Sequence, residues 1–202
     1  KDLRPVSSIP AGQRPINQNW SWDRILRSPY IKQADTLQSF YLFEPEYDVE
    51  TIARHFDFYE PLTVHESSLS PCIHTILAAL IGNEEKAYEM YLRTARLDLD
   101  DYNNDTEDGC HITSMGGTWM AFVQGFGGMR VQNNRLHFAP FIPKTWKSFA
   151  FRINFRNATI KVKVEKEQLT IENHSAHDLE FELYGKELTA KSGSSIVSPL
   201  KK

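Results

Sequence analysis

The chain has 202 residues, 41% of them hydrophobic and 12% aromatic, and a formal net charge of −3. That is enough apolar material for a substantial core, in one large domain or two small ones. A mildly acidic balance argues against binding to nucleic acid or a membrane surface, and no run is long and apolar enough to span a bilayer.

Residues 1–23 read as an irregular lead-in, broken by Pro5, Pro10, Gly12 and Pro15. Trp20 and Trp22 follow as a pair that suits either stacking on a sugar ring or anchoring a core. Ser28-Pro29 is a helix-start signal, and the spacing of Tyr30, Ala34, Leu37 and Tyr41 predicts a helix over 29–43. Lys32 and Gln33 then fall in its first turn, where a cation opposes the helix dipole and calls for a partner or ligand. A shorter helix is predicted over 49–59.

The run Leu62-Thr-Val-His-Glu-Ser-Ser-Leu-Ser-Pro71 is the densest polar stretch of the chain. Ser70-Pro71 reads as cap and first position of a helix over about 71–81, closed by Gly82. A helix start suits an anion as well as a plain cap, and the stretch alone leaves both readings open. A helix over about 84–97 comes next. The acidic loop 98–109 offers hard oxygen ligands for calcium but lacks the EF-hand spacing. A helix over about 112–127 carries Gly116-Gly117, which points to close approach of another helix or a ligand to the backbone.

From Arg135 on, apolar residues alternate with polar ones, from Leu136 and Phe138 to Phe181 and Leu183. Turns are expected at Asn133-Asn134, Arg156-Asn157, Asn173-His174 and Ser192-Gly193. This predicts a small antiparallel β-sandwich, jelly-roll-like, after a helical module, with the division placed at 133/134. His174 and His177 read as surface residues of a turn. No nucleophile elbow, phosphate-binding P-loop or zinc-ligand spacing is present. Cys72 and Cys110 make no disulfide framework, and free thiols in a reducing cytoplasm are the simpler reading. The opening at Lys1 on a loop-like stretch suggests a piece of a longer protein, so the missing signal peptide says nothing about localisation.

Short connections make neighbouring helices antiparallel. The first, third and fifth predicted helices then share a direction. Their N-terminal ends carry Lys32-Gln33, His65-Glu66-Ser67-Ser68 and Cys110-His111. A lysine, hydroxyls, a histidine and three helix starts in one place suit an oxyanion such as phosphate. They also suit a polyhydroxylated substrate, and ordinary capping is the remaining alternative.

Four segments, Ile31–Asp35, Thr63–Pro71, Ala87–Asp101 and Asp105–Ser114, closely resemble the C-terminal part of glycoside hydrolase family 65. The resemblance runs from about Asn17 into the strand-rich module. It implies the last helices of an (α/α)6 catalytic barrel (residues 1–133) followed by a C-terminal β-sandwich domain (134–202). It implies phosphorolysis of an α-linked glucose disaccharide, maltose foremost, with inversion, to β-glucose 1-phosphate. Phosphate is a co-substrate and no cofactor or metal is implied. By position, Lys32 and Gln33 match the pair that holds glucose. Ser67, Ser68 and His111, with backbone N–H groups near Gly116 and Gly117, match the phosphate region. Glu66 is expected to partner Lys32 or His111, or, in a hydrolase of the same family, to act as base. The family's proton donor lies in a Gly-Pro-Asp-Glu-Tyr-like segment absent from this sequence, so the chain alone is expected to be inactive. Its expected partners are the N-terminal part of the same enzyme and a second copy in a homodimer, in the cytoplasm. A sugar-binding module without turnover is the reading from another class.

Overall fold

The computed structural model describes residues 3–102, 104 and 106–201. Asn103 and Asp105 of the acidic loop therefore lie outside the described residues. The chain forms two compact units, one ending at Ala121 and the other beginning at Phe122. These units part ahead of the 133/134 division, because the strand Arg130–Gln132 pairs with Arg135–Phe138 and so belongs to the sheet part.

The first unit is helical. After two 3-10 turns come α1 (Ile16–Asn19), α2 (Trp22–Arg27), α3 (Asp35–Leu42), α4 (Val49–Tyr59), α5 (Ser70–Leu80), α6 (Glu84–Ala95), α7 (Leu97–Asp100) and α8 (Ile112–Met120). At its centre lies α5, buried at every residue from Ser70 to Ala78. A helix apolar on all sides must be enclosed on all sides, and α5 packs against α3, α4, α6 and α8. Helices also pack beyond their immediate neighbours in the chain, α3 on α5 and both α5 and α6 on α8. The flanking helices start on side-chain caps. Asp48 accepts the Thr51 N–H at 2.6 Å for α4, and Asn83 accepts that of Lys86 at 3.1 Å for α6.

The helix expected from residue 29 begins only at Asp35. Before it the chain is extended, because Ile31 makes a parallel bridge to Thr63. The Ile31 N–H donates to the Leu62 carbonyl at 3.0 Å, and the Ile31 carbonyl accepts from Val64 at 2.9 Å. Ser28 instead follows α2 and donates its hydroxyl to the Ile25 carbonyl. The lead-in holds two short helices as well. Within it Trp20 packs on a small core of Ile9, Ile16 and Val64, whereas Trp22 is exposed. Ser70 does not cap α5: it lies inside the helix and bonds His65 instead. The segment Glu44–Glu46, within the Phe43–Asp48 run, is a 3-10 turn between α3 and α4. Past Met120 the chain turns as a wider π-helical coil over Ala121–Phe126 rather than as α-helix.

The second unit holds eight strands in two four-stranded sheets. These are β1 (Arg130–Gln132), β2 (Arg135–Phe138), β3 (Ser148–Phe155), β4 (Ala158–Glu165), β5 (Gln168–Asn173), β6 (Leu179–Leu183), β7 (Lys186–Ala190) and β8 (Ser195–Pro199). Their orders are β1-β2-β6-β7 and β3-β4-β5-β8. All pairings are antiparallel except β2 with β6. The period-two pattern is a true face pattern: Ile160, Val162, Val164, Leu169, Ile171 and Phe181 are all fully buried. Asn133-Asn134 and Arg156-Asn157 turn with positive φ at both residues, as tight hairpins require. Asn173 is buried at the end of β5, where its amide donates to the carbonyls of His177, Ala190 and Lys191. His174 and His177 are exposed.

Candidate functional site

The Ile31–Thr63 bridge sets the geometry of the polar segments. It lays the strand carrying Lys32 and Gln33 beside the strand that runs into Glu66, Ser67 and Ser68. The Lys32 carbonyl accepts the Glu66 N–H at 3.2 Å. Lys32 is exposed, Gln33 is half-buried and donates to Asp35 at 3.1 Å, and Ser67 and Ser68 are half-buried. The Ser67 hydroxyl accepts the Leu69 N–H at 3.2 Å. Lys32 and Gln33 thus precede α3 rather than sit in its first turn, and the dipole argument about Lys32 does not apply. What carries them to the second segment is β-pairing between extended strands.

His111 stands at the start of α8. Its Nδ1 lies 2.6 Å from Asp98 Oδ1, and its backbone N–H donates to Asp98 Oδ2 at 3.0 Å. A carboxylate gripping ring and backbone together fixes the imidazole's orientation and tautomer. The same two hydrogen bonds, the ring's first, hold the Asp98 carboxyl below its usual range. Asp98 is a partner of His111 that the sequence reading missed. It was visible as an acid thirteen residues ahead of His111, but it stood among many carboxylates of one loop. Two other acids of that loop have protein partners too: Asp100 pairs with Arg96, and Asp101 accepts from Thr106.

Gly116 and Gly117 separate in role. Both lie inside α8, beyond the first turn whose N–H groups are open, so their amides belong to the helix ladder. Close approach is real at Gly117, where an added Cβ would meet Cys72 Cβ and Sγ at 3.0 Å. At Gly116 nothing lies within 4 Å. Gly116→Ala is therefore expected to stabilise the fold by about 1 kcal/mol through helix propensity. Gly117→Ala is expected to lose that gain to overpacking that costs roughly 1–3 kcal/mol. Urea denaturation of the pair checks both signs.

Glu66 accepts the backbone N–H groups of Ile16 and Asn17, the latter at 3.1 Å. It closes the open start of α1 and ties the polar run to the lead-in. Among the described residues its carboxylate has no hydrogen bond to Lys32 or His111. Glu66→Gln keeps one acceptor and turns an amide NH2 toward an N–H. That is expected to destabilise the protein by about 1–3 kcal/mol, measured by thermal unfolding. A base role predicts no such loss.

A cavity of about 520 Å³ lies behind the run, lined by Arg14, Glu60, His65, Glu66, Lys86 and Arg93 among others. Of the residues expected to bind sugar or phosphate, Lys32, Gln33, Ser67, Ser68 and His111 do not line it. His65 is buried with φ +55, and its carbonyl accepts from the Arg93 guanidinium at 3.1 Å. Burial depresses the Arg93 guanidinium below its ordinary value. The His65 ring faces that of His74 from α5, with centroids 4.4 Å apart. Burial drives both imidazoles down, His65 well below its usual value and His74 to about 3, with each cation nearby adding to the effect. Burial thus favours the neutral form of both rings.

Residues 2–120 match the glycosyl hydrolase family 65 central catalytic domain, and residues 129–190 match the family's C-terminal domain. The chain belongs to glycosyl hydrolase family 65. The helical array is thus the end of the family's catalytic domain and the sandwich its C-terminal domain. The maltose phosphorylase of Bacillus subtilis (strain 168) is 54% identical over 184 residues, 91% of this chain and 24% of the relative. The α,α-trehalose phosphorylase of Thermoanaerobacter brockii is 40% identical over 193 residues, 96% of this chain and 25% of the relative. A solved structure from the human microbiome, provisionally assigned as a kojibiose phosphorylase, superposes with a TM-score of 0.91 at 37% identity. It covers 100% of this chain and 30% of that one. The chain spans about a quarter of the length of the curated relatives it matches. Among the described residues no helix is long and apolar enough to cross a membrane.

Proposed function

We propose that this chain is part of an inverting disaccharide phosphorylase that cleaves maltose with inorganic phosphate to β-D-glucose 1-phosphate and glucose. The observation that carries the reading is the 54% identity to a maltose phosphorylase, against 40% to a trehalose phosphorylase and 33% to a kojibiose phosphorylase. In this reading a phosphate oxygen attacks the anomeric carbon as the bond to the leaving sugar breaks, and a general acid protonates the leaving oxygen. The acid comes from a part of the enzyme outside this sequence, so residues 1–202 alone do not turn over. Lys32 and Gln33 hold glucose hydroxyls, while Ser67, Ser68 and His111 hold phosphate. Phosphate is already an anion and needs positioning rather than deprotonation. The engagement of Glu66 with Ile16 and Asn17 supports positioning over base catalysis. The enzyme works without a redox or organic cofactor, as a cytoplasmic homodimer.

The test is the full-length protein with maltose, with and without phosphate, followed by proton NMR. The expected result is phosphate-dependent release of the β-anomer of glucose 1-phosphate. Rapid cleavage in phosphate-free buffer, abolished by Glu66→Gln with the fold intact, makes a hydrolase the better reading.

A further inference from the structure

Among the described residues, one cluster of three ligating groups includes none of the residues assigned to sugar and phosphate. Glu60 ends α4, His65 sits in the polar run, and His74 projects from α5. One donor atom of each lies within 4.8 Å of the others. His65 Nε2 and both ring nitrogens of His74 are buried and have no hydrogen-bond partner among the described residues. Two imidazoles left unsatisfied side by side cost free energy that a fold ordinarily avoids. Packing alone does not use their lone pairs.

We propose that Glu60, His65 and His74 form a binding site for a divalent transition metal of the zinc class, which pins the Thr63–Ser68 segment to α5. Two neutral imidazoles and one carboxylate are a donor set that zinc accepts, leaving one position for water. Zinc bonds of about 2.0–2.2 Å put tetrahedral donors roughly 3.3 Å apart, so small side-chain rotations close the site from its present spread. His65 is oriented for the task. Its Nδ1 lies 2.8 Å from the Ser70 hydroxyl, which leaves Nε2 as the ligating atom and supplies the outer hydrogen bond that ligating histidines use. Access is from the 520 Å³ cavity, which Glu60 and His65 line.

The charges around the cluster set its competition. Lys86 from α6 lies 3.1 Å from Glu60 and 2.7 Å from Glu89. Arg93 reaches the His65 carbonyl. A metal therefore displaces the Lys86 ammonium from Glu60, and Lys86 keeps Glu89. The site is thus a place where an ammonium and a dication exchange, and removal of Lys86 should favour the dication.

The experiment titrates the full-length protein with Co2+ and, separately, Zn2+. The expected result is one ion per chain, with the visible absorption of a four-coordinate cobalt site and a rise in melting temperature with Zn2+. Glu60→Gln, at the edge of the cluster and close in volume, should weaken binding at least tenfold while the protein remains folded. Lys86→Met should tighten it by tenfold or more. His65→Asn should abolish the cobalt absorption. No saturable binding in the wild type, or binding unchanged by Glu60→Gln, overturns the proposal and leaves the histidines as a packed neutral pair. None of these readouts uses turnover, so the outcome is independent of the phosphorylase reading.

Discussion

Replacing His111 by alanine in the full-length enzyme is expected to raise the KM for phosphate about ten- to a hundredfold and leave the KM for maltose near its wild-type value. The magnitude follows from the loss of one hydrogen bond to a charged group, worth roughly 1.5–3 kcal/mol. The geometry adds a second variant. Asp98 grips the His111 ring and backbone, so Asp98→Asn should act in the same direction on phosphate and by less, because the imidazole stays but its orientation loosens. Ser68→Ala should follow His111→Ala. Lys32→Ala should do the opposite, raising the KM for maltose and sparing phosphate. Steady-state kinetics, varying phosphate at saturating maltose and then the reverse, reads all four. If His111 and Asp98 only secure the entry to α8, their replacement costs about 1 kcal/mol of stability and moves neither KM. With circular dichroism showing intact folding, that result removes His111 from the phosphate site.

Gly128→Ala is expected to be the most damaging single-methyl change in the β unit. Gly128 has φ +55, and a Cβ there would fall 2.3 Å from the Ala139 carbonyl oxygen and 2.5 Å from its carbon. The obstacle is backbone, held by the Ala139 N–H donating to the Gly128 carbonyl at 3.2 Å, so no side chain can swing aside. Left-handed strain costs about 1–3 kcal/mol and overpacking about 1–3 more. A loss of roughly 2–6 kcal/mol takes much of a small domain's stability. Gly193→Ala separates the two causes. Gly193 has φ +65 with nothing within 4 Å of the added carbon, so it should lose only the strain part. Equal losses in the two variants, by urea denaturation, would refute the clash at Ala139.

Much of this architecture was legible in the sequence because its signals are local. The helix at 49–59 was readable because Asp48 caps it and Ile52 and Phe56 share its buried face. The strands were readable because their buried residues alternate over long runs, from Phe149 to Val164. The family was legible for another reason: long runs such as Thr63–Pro71 carry more information than any single site. The edge strands β1 and β8 were less legible, being short and half-exposed, so their alternation is weak.

The candidate site was legible as a set of segments but not as a geometry. Periodicity extended the helix of Leu37 and Tyr41 back over Lys32. The structure keeps that stretch extended, because a bridge to Thr63 satisfies backbone groups that a first helical turn would have left open. Ser70 read as a cap because Ser before Pro is one locally, and only the fold brings His65 to its hydroxyl. Glu66 offered two roles, and what engaged it was α1, fifty residues away in sequence. Asp98 with His111, and Glu60 with His65 and His74, follow no spacing rule, since their members come from different elements. Sequence by itself determined the longer helices and strands, the faces they bury and the family, because those depend on neighbours along the chain. Partners were decided by tertiary structure alone, because a buried polar group bonds whatever the packing brings within about 3 Å.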